Sequence, residues 1–233
     1  MRHRYVRSPL GPFWMSHQMA IVVAVLGSVI GQMSNADVLS RLPMLALSMT
    51  AWTFLNSVVL DATTALQSSA SLIRDRPLPP VIFLLQCNFR QGLFALHNAC
   101  VPLMLWLILT PHELSGALAA LPGLALFVAC TFALSLVLGA MATRFRDLKP
   151  IIESTLMLAF LSSPVIRSSE MLNHRSTVIR LNPLTHLFAI WREPLAGVHV
   201  DTVSIVYVLV ALAVLTLASI ATLFHLRKAA FWI

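Results

Sequence analysis

Six long apolar stretches, joined by short connections that carry most of the charge, leave this chain few folds to choose from. A helix needs about 20 mostly apolar residues to cross roughly 30 Å of bilayer hydrocarbon. Stretches of that order run from about Pro12 to Met33, Leu42 to Leu66, Gln86 to Leu109, Leu114 to Met141, Pro150 to Ile166 and Thr202 to Phe224. Pro122 falls inside the fourth, where neighbouring helices can satisfy the carbonyl it leaves unpaired. Only 11% of the residues are charged and 58% are hydrophobic, whereas a soluble domain carries about 25% charged residues. Most of the surface must therefore meet lipid or other protein. The sequence predicts an all-α integral membrane fold of six transmembrane helices, forming a single domain over residues 1–233.

The net charge of +7 invites a nucleic-acid reading, but the basic residues sit at the ends of apolar stretches and form no single patch. With the N-terminus inside, the inner segments hold Arg2, Arg4, Arg7, Arg74, Arg76, Arg90, Arg144, Arg146, Lys149, Arg227 and Lys228. The outer segments hold Arg41, Arg167, Arg175, Arg180 and Arg192, four of them in one long connection. The short loops thus follow the positive-inside rule, and both termini are expected to be cytoplasmic. The first apolar stretch lacks a small-residue cleavage site and is expected to be a retained helix. Cys87, Cys100 and Cys130 lie inside apolar stretches without close pairing, which favours small buried side chains over a disulfide or zinc framework.

The fifth stretch is short. Ile151 to Ile166 is sixteen residues, about 24 Å of helix, less than a full crossing. Beyond it, Asn182 and Pro183 form a helix start, with Asn as cap and Pro at the first helical position. Leu184, Leu187, Phe188, Trp191 and Leu195 then recur at helical spacing, opposite Thr185, His186, Arg192 and Glu193. This helix is amphipathic and too short to span, so it is expected at the outer interface or dipping back into the membrane.

Several polar residues inside the stretches need a reason. Thr50, Thr53, Ser57, Asp61, Thr64 and Ser68 follow one another at steps of three or four along one stripe of the second helix. Hydroxyls in membrane helices commonly serve packing. Asp61 shifts the balance, because an ionisable group in a span faces protein or water. In the third stretch Arg90 and His97, and likewise Gln91 and Asn98, are seven apart and share adjoining parts of one face. Arg90 is close enough to the inner end to snorkel. His97 and Asn98 lie deeper and are expected to bond to a neighbouring helix, with no second ligand at metal-binding spacing. Glu153, one turn beyond Lys149, suits a local ion pair.

Two inner loops, SSASLIRDRPLPP (Ser68 to Pro80) and TRFRDLKP (Thr143 to Pro150), are charged and end on proline. They suit docking onto a soluble partner or simple anchoring of topology. Neither lysine follows the glycine of a phosphate-binding loop, His112-Glu113 has no second His in register, and no serine sits in a nucleophile elbow.

Five strings occur in a telling order: LGPFW (Leu10 to Trp14), RDRPLPP (Arg74 to Pro80), RFRDLKP (Arg144 to Pro150), FLSSPVI (Phe160 to Ile166) and LNPLTHLFAIWREPLAG (Leu181 to Gly197). Together they make the chain resemble the ABC-2 type permeases of polysaccharide exporters, from Tyr5 to the sixth stretch. The resemblance implies a permease of the bacterial inner membrane that moves lipid-linked O-antigen, capsule or teichoic acid chains. It implies a homodimer working with two separate ATP-binding subunits, which would hold ATP and Mg, so that this chain binds no cofactor itself. Arg74, Asp75, Arg76, Pro77 and Pro79 would belong to the coupling loop, and Arg144, Phe145, Arg146 and Asp147 to the inner entrance. Asn182, Pro183 and Arg192 would belong to the outer gate. Arg167 stands where an aromatic residue is common in the family. Two other readings remain beside it: an ABC-2 exporter of a drug or small lipid, and a membrane-embedded lipid-modifying enzyme using Asp61, His97 and Glu153.

Overall fold

The computed structural model describes residues 17, 19–25, 27–28, 38–75, 78–109, 114–145, 147–162 and 182–229. Helical residues at 19–25 precede α1 (Val38–Ser68), α2 (Ala70–Asp75), α3 (Val81–Asn98), α4 (Cys100–Leu109), α5 (Leu114–Arg144), α6 (Leu148–Ser162), α7 (Pro183–Leu195) and α8 (Thr202–Ala229). Among the described residues, four segments are long and apolar enough to cross a membrane: Leu42–Ser68, Val81–Leu109, Gly116–Arg144 and Thr202–Phe224. They correspond to the second, third, fourth and sixth expected spans. The third starts at Val81, not at Gln86, because Pro80 takes the N-cap position and the next five residues are apolar.

That third segment is α3 and α4 in tandem, interrupted at Ala99. Pro102 has no N–H to give the Asn98 carbonyl, so one helical bond is lost there. The helical pattern resumes on both sides, with Ala99 N donating to Ala95 O at 2.8 Å and Leu103 N to Ala99 O at 2.9 Å.

Most of the first expected span lies outside the described residues, as do its LGPFW string and residues 163–166 at the end of the fifth. The fifteen described residues of α6, Leu148–Ser162, cover roughly 22 Å, and the residues that follow Ser162 lie outside the described ones.

α5 is the central helix, with α1, α7 and α8 packed around it. In the most apolar window of α1, 61% of residues are buried, against 17% in α8 and in α3–α4. α1 is therefore an interior helix, while α8 and α3–α4 present faces such as Leu96, Met104, Ile108, Leu217 and Phe224 outward. One core cluster joins Leu55 and Val59 of α1 to Phe127 of α5 and to Phe188 and Trp191 of α7. A smaller cluster joins Ala62, Leu66, Phe83, Leu84, Leu136 and Ala140 to Ile73 of α2.

α7 lies against the first half of α5 at very short range. A Cβ on Gly123 would sit 2.1 Å from the Ile190 carbonyl oxygen, and one on Gly116 would sit 2.2 Å from that of Pro194. The two glycines are seven residues apart and share a face of α5, so they let the α7 backbone come close. α7 itself is sharply bounded. Asn182 Oδ1 accepts from Leu184 N at 3.0 Å, with Pro183 in the first turn. At its end Val198 N donates to Glu193 O at 2.9 Å and Gly197 N to Pro194 O at 3.1 Å, and Gly197 has φ +67. This is a Schellman ending, in which glycine supplies the left-handed residue.

Candidate functional site

The polar stripe of α1 opens onto α3. Thr50 Oγ1 donates to Ala46 O at 3.0 Å and Thr53 Oγ1 to Met49 O at 2.8 Å. Thr64 and Ser68 bond back to Asp61 O and Ala65 O at 3.2 and 3.0 Å. These hydroxyls are thus satisfied within the helix itself.

Asp61 instead reaches across. Its Oδ2 accepts from Arg90 Nη2 at 2.7 Å and also from Gln91 Nε2. Arg90 does not snorkel away alone; it pairs with Asp61, joining α1 to α3. The two side chains remain 36% and 49% exposed within this chain. On a soluble surface such a pair contributes about 0–1 kcal/mol. In a span the comparison changes, because lipid offers an exposed charge no hydrogen bonds and the face must meet water or protein.

Beside this pair is a cavity of about 280 Å³, lined by Met19, Val22, Met49, Thr50, Thr53, Phe54, Ser57, Gln91, Phe94, Ala95 and Asn98. Thr50, Thr53 and Ser57 of the stripe therefore share one space with Gln91 and Asn98 of α3. Asn98 is buried, and its Oδ1 meets no donor among the described residues. His97, its neighbour, is partly buried. Gln91 links the two features, since it both lines the cavity and bonds Asp61.

Sequence reasoning passed over two further ties. Asn88 Nδ2 donates to Ser135 Oγ at 2.9 Å, joining α3 to α5. Gln67 Nε2 donates to Ala142 O at 2.9 Å, joining α1 to α5 near their ends. A polar side chain inside an apolar stretch is the signal that would have found both.

The segment expected to be amphipathic is enclosed on more than one side. Phe188, Ile190 and Trp191 are buried, and Phe127 meets Phe188 and Trp191 edge-on at 5.5 and 6.2 Å. Its polar face is also covered: His186 Nδ1 lies 3.0 Å from Ser204 Oγ, and its ring stacks on Tyr207 at 4.6 Å. Arg192 is partly buried, and the loss of solvent around it pushes its guanidinium below the ordinary value, with Glu193 opposing that shift. Asn182 Nδ2 donates to Ser162 Oγ at 3.2 Å and its carbonyl at 3.4 Å, bringing the start of α7 beside the end of α6.

The residues assigned by resemblance to the two loops are described only in part. The backbone of Arg74 and Asp75 closes α2, and Asp75 is exposed. Arg76 and Pro77 lie outside the described residues, while Pro79 is exposed in the turn before α3. Arg144 ends α5 with its guanidinium 6.0 Å from the Phe145 ring centroid. Arg146 lies outside the described residues, and Asp147 is exposed. Glu153 and Lys149 face each other at 3.9 Å, both half-exposed, one helical turn apart. Asp61, His97 and Glu153 lie on three different helices, and Glu153 is engaged with Lys149 rather than with Asp61.

Four described segments of membrane-crossing length and apolar composition define a multi-pass membrane protein. The family model for ABC-2 type transporters matches residues 1–196, and the chain belongs to that family. It is 21% identical over 198 residues to an O-antigen export system permease protein RfbA of Klebsiella pneumoniae, covering 83% of this chain and 75% of that one. It is 21% identical over 215 residues to a second protein of the same name and organism, covering 89% and 82%. Members of this family are transport subunits that normally work with an ATP-binding subunit.

Proposed function

We propose that this chain is the permease subunit of an ATP-driven exporter that moves a lipid-linked polysaccharide across the bacterial inner membrane. The observation that carries the substrate class is the match, over most of both chains, to two proteins named for O-antigen export. Thr50, Thr53, Ser57, Gln91 and Asn98 bring polar groups into the cavity between α1 and α3, which supports a place for hydroxyl-bearing cargo among otherwise apolar helices.

The working unit is a homodimer with two ATP-binding subunits, which hold ATP and Mg. Each permease crosses six times with both termini cytoplasmic, residues 12–33 and 150–166 adding to the four long segments. The distribution of Lys and Arg supports this orientation. The Arg74 to Pro80 loop receives the push of the ATP-binding subunit. Ile73 anchors α2 into the cluster at the base of α1, α3 and α5, while Leu72 and Asp75 on α2 and Leu78 in the connection after it stay exposed, which suits docking. Arg144, Phe145, Arg146 and Asp147 flank the inner entrance. α7, rising from Ser162 toward the start of α5, is a re-entrant segment of the outer gate, with Asn182 and Pro183 fixing its start and Arg192 near its end.

Deleting the gene is expected to leave the polymer on its lipid carrier at the cytoplasmic face, and a plasmid copy should clear it. Isolating the accumulated material from the deletion strain checks this. Normal surface polymer with a small amphiphile accumulating inside would mean a drug or lipid exporter instead.

A further inference from the structure

We propose that the cavity between α1, α3 and the helical residues 19–25 is a subsite for one neutral sugar ring of the exported chain, a proposal that rests on the export function above. Its size comes first. At about 280 Å³ it is far larger than the ~30 Å³ share of one water and close to the lower end of small-ligand clefts, ~300 Å³.

Its chemistry then narrows the occupant. Met19, Val22, Met49, Phe54 and Phe94 form an apolar wall, which suits the C–H faces of a sugar ring. Interleaved with them on the same helices are polar, uncharged residues: Thr50, Thr53, Ser57, Gln91 and Asn98. Thr50 and Thr53 give their hydroxyl protons to Ala46 O and Met49 O, so toward a ligand they act as acceptors. Gln91 commits an amide proton to Asp61 and keeps its oxygen. Asn98 brings a buried amide oxygen that meets no donor among the described residues. Asn98 and Gln91 also bring amide N–H groups and Ser57 a hydroxyl, so the cavity offers both acceptors and donors.

A phosphate or carboxylate would find neutral groups and no cation among the lining residues, since Arg90 is committed to Asp61. An ammonium would find the one nearby carboxylate already neutralised. A lipid tail would strand these polar groups without partners. Hydroxyl groups, which donate and accept at once, match them.

The test uses the full chain with its ATP-binding subunit in lipid nanodiscs, carrying Ser57→Cys in a Cys100→Ser background; Cys87 and Cys130 are buried. The rate of modification by a small water-soluble thiol reagent is followed with D-glucose, D-galactose, D-mannose or inorganic pyrophosphate added. At least one hexose should slow labelling by about fourfold at three times its Kd, pyrophosphate should not, and adding Thr53→Val should abolish the protection. No labelling, no protection by any hexose, or protection by pyrophosphate would each overturn the subsite. If the deletion strain accumulates polymer while labelling is unprotected, only the subsite is wrong. If it accumulates none, the export function is wrong whatever the labelling shows.

Discussion

Gly123→Leu is expected to abolish export, and Gly123→Ala to weaken it sharply, while Gly92→Ala leaves export at the wild-type level. The three atoms that a Cβ on Gly123 would meet at 2.1, 2.5 and 2.9 Å all belong to the backbone at Ile190 and Trp191. Backbone cannot swing aside as a side chain can, so α7 itself must shift. Overpacking of a filled interior costs about 1–3 kcal/mol for small insertions, and leucine adds several carbons more. Gly92 is the control, because a Cβ there meets nothing within 4 Å and alanine is favoured over glycine in a helix by about 1 kcal/mol. Thermal melts of the solubilised protein beside surface-polymer assays separate the cases. Wild-type export by Gly123→Leu would show that the close seating of α7 on α5 has no part in transport.

The second large effect is expected at the link between α1 and α3. Arg90→Ala leaves the Asp61 carboxylate in a span with only Gln91 as donor, and Asp61→Leu leaves the guanidinium unpaired. A lone charge at mid-span costs about 2.5–3.5 kcal/mol, an upper bound here because the pair lies nearer the Ser68 end of α1. Either single change should strongly reduce export. The exchange Asp61→Arg with Arg90→Asp should recover a substantial part of it, as should Asp61→Leu combined with Arg90→Leu for protein level alone. A double-mutant cycle measured on export and on membrane abundance isolates the pair term. Additive losses, with no recovery in the exchange, would mean that the two residues act separately.

Much of the architecture was legible because hydropathy reports directly on depth in a bilayer. Leu42, Thr202 and Phe224 appear as span limits in both readings, and α7 starts at Asn182-Pro183 because cap chemistry is local. The site was legible only in part. Asp61 announced itself as a costly residue, but its partner depends on the register of α1 against α3, which no periodicity within either helix contains. Arg90 lies close enough to a helix end for snorkelling to be an equal reading until the 2.7 Å contact is seen. Gly116 and Gly123 gave still less signal. In a helix they count only as weak formers, and their use emerges once the α7 backbone lies on them. The polar face of α7 misled in another way: His186 looked like a water-facing residue, yet Ser204 and Tyr207 of α8 cover it.

The most direct measurement joins the chain to its proposed engine. The permease is purified with its proposed ATP-binding subunit, placed in proteoliposomes, and supplied with the lipid-linked polymer from the deletion strain. The account predicts a stable complex and polymer transfer that requires both subunits and ATP with Mg, and that stops when ATP is replaced by a non-hydrolysable analogue. Transfer by the permease alone, or an assembled complex that hydrolyses ATP yet leaves the polymer where it was, would contradict it.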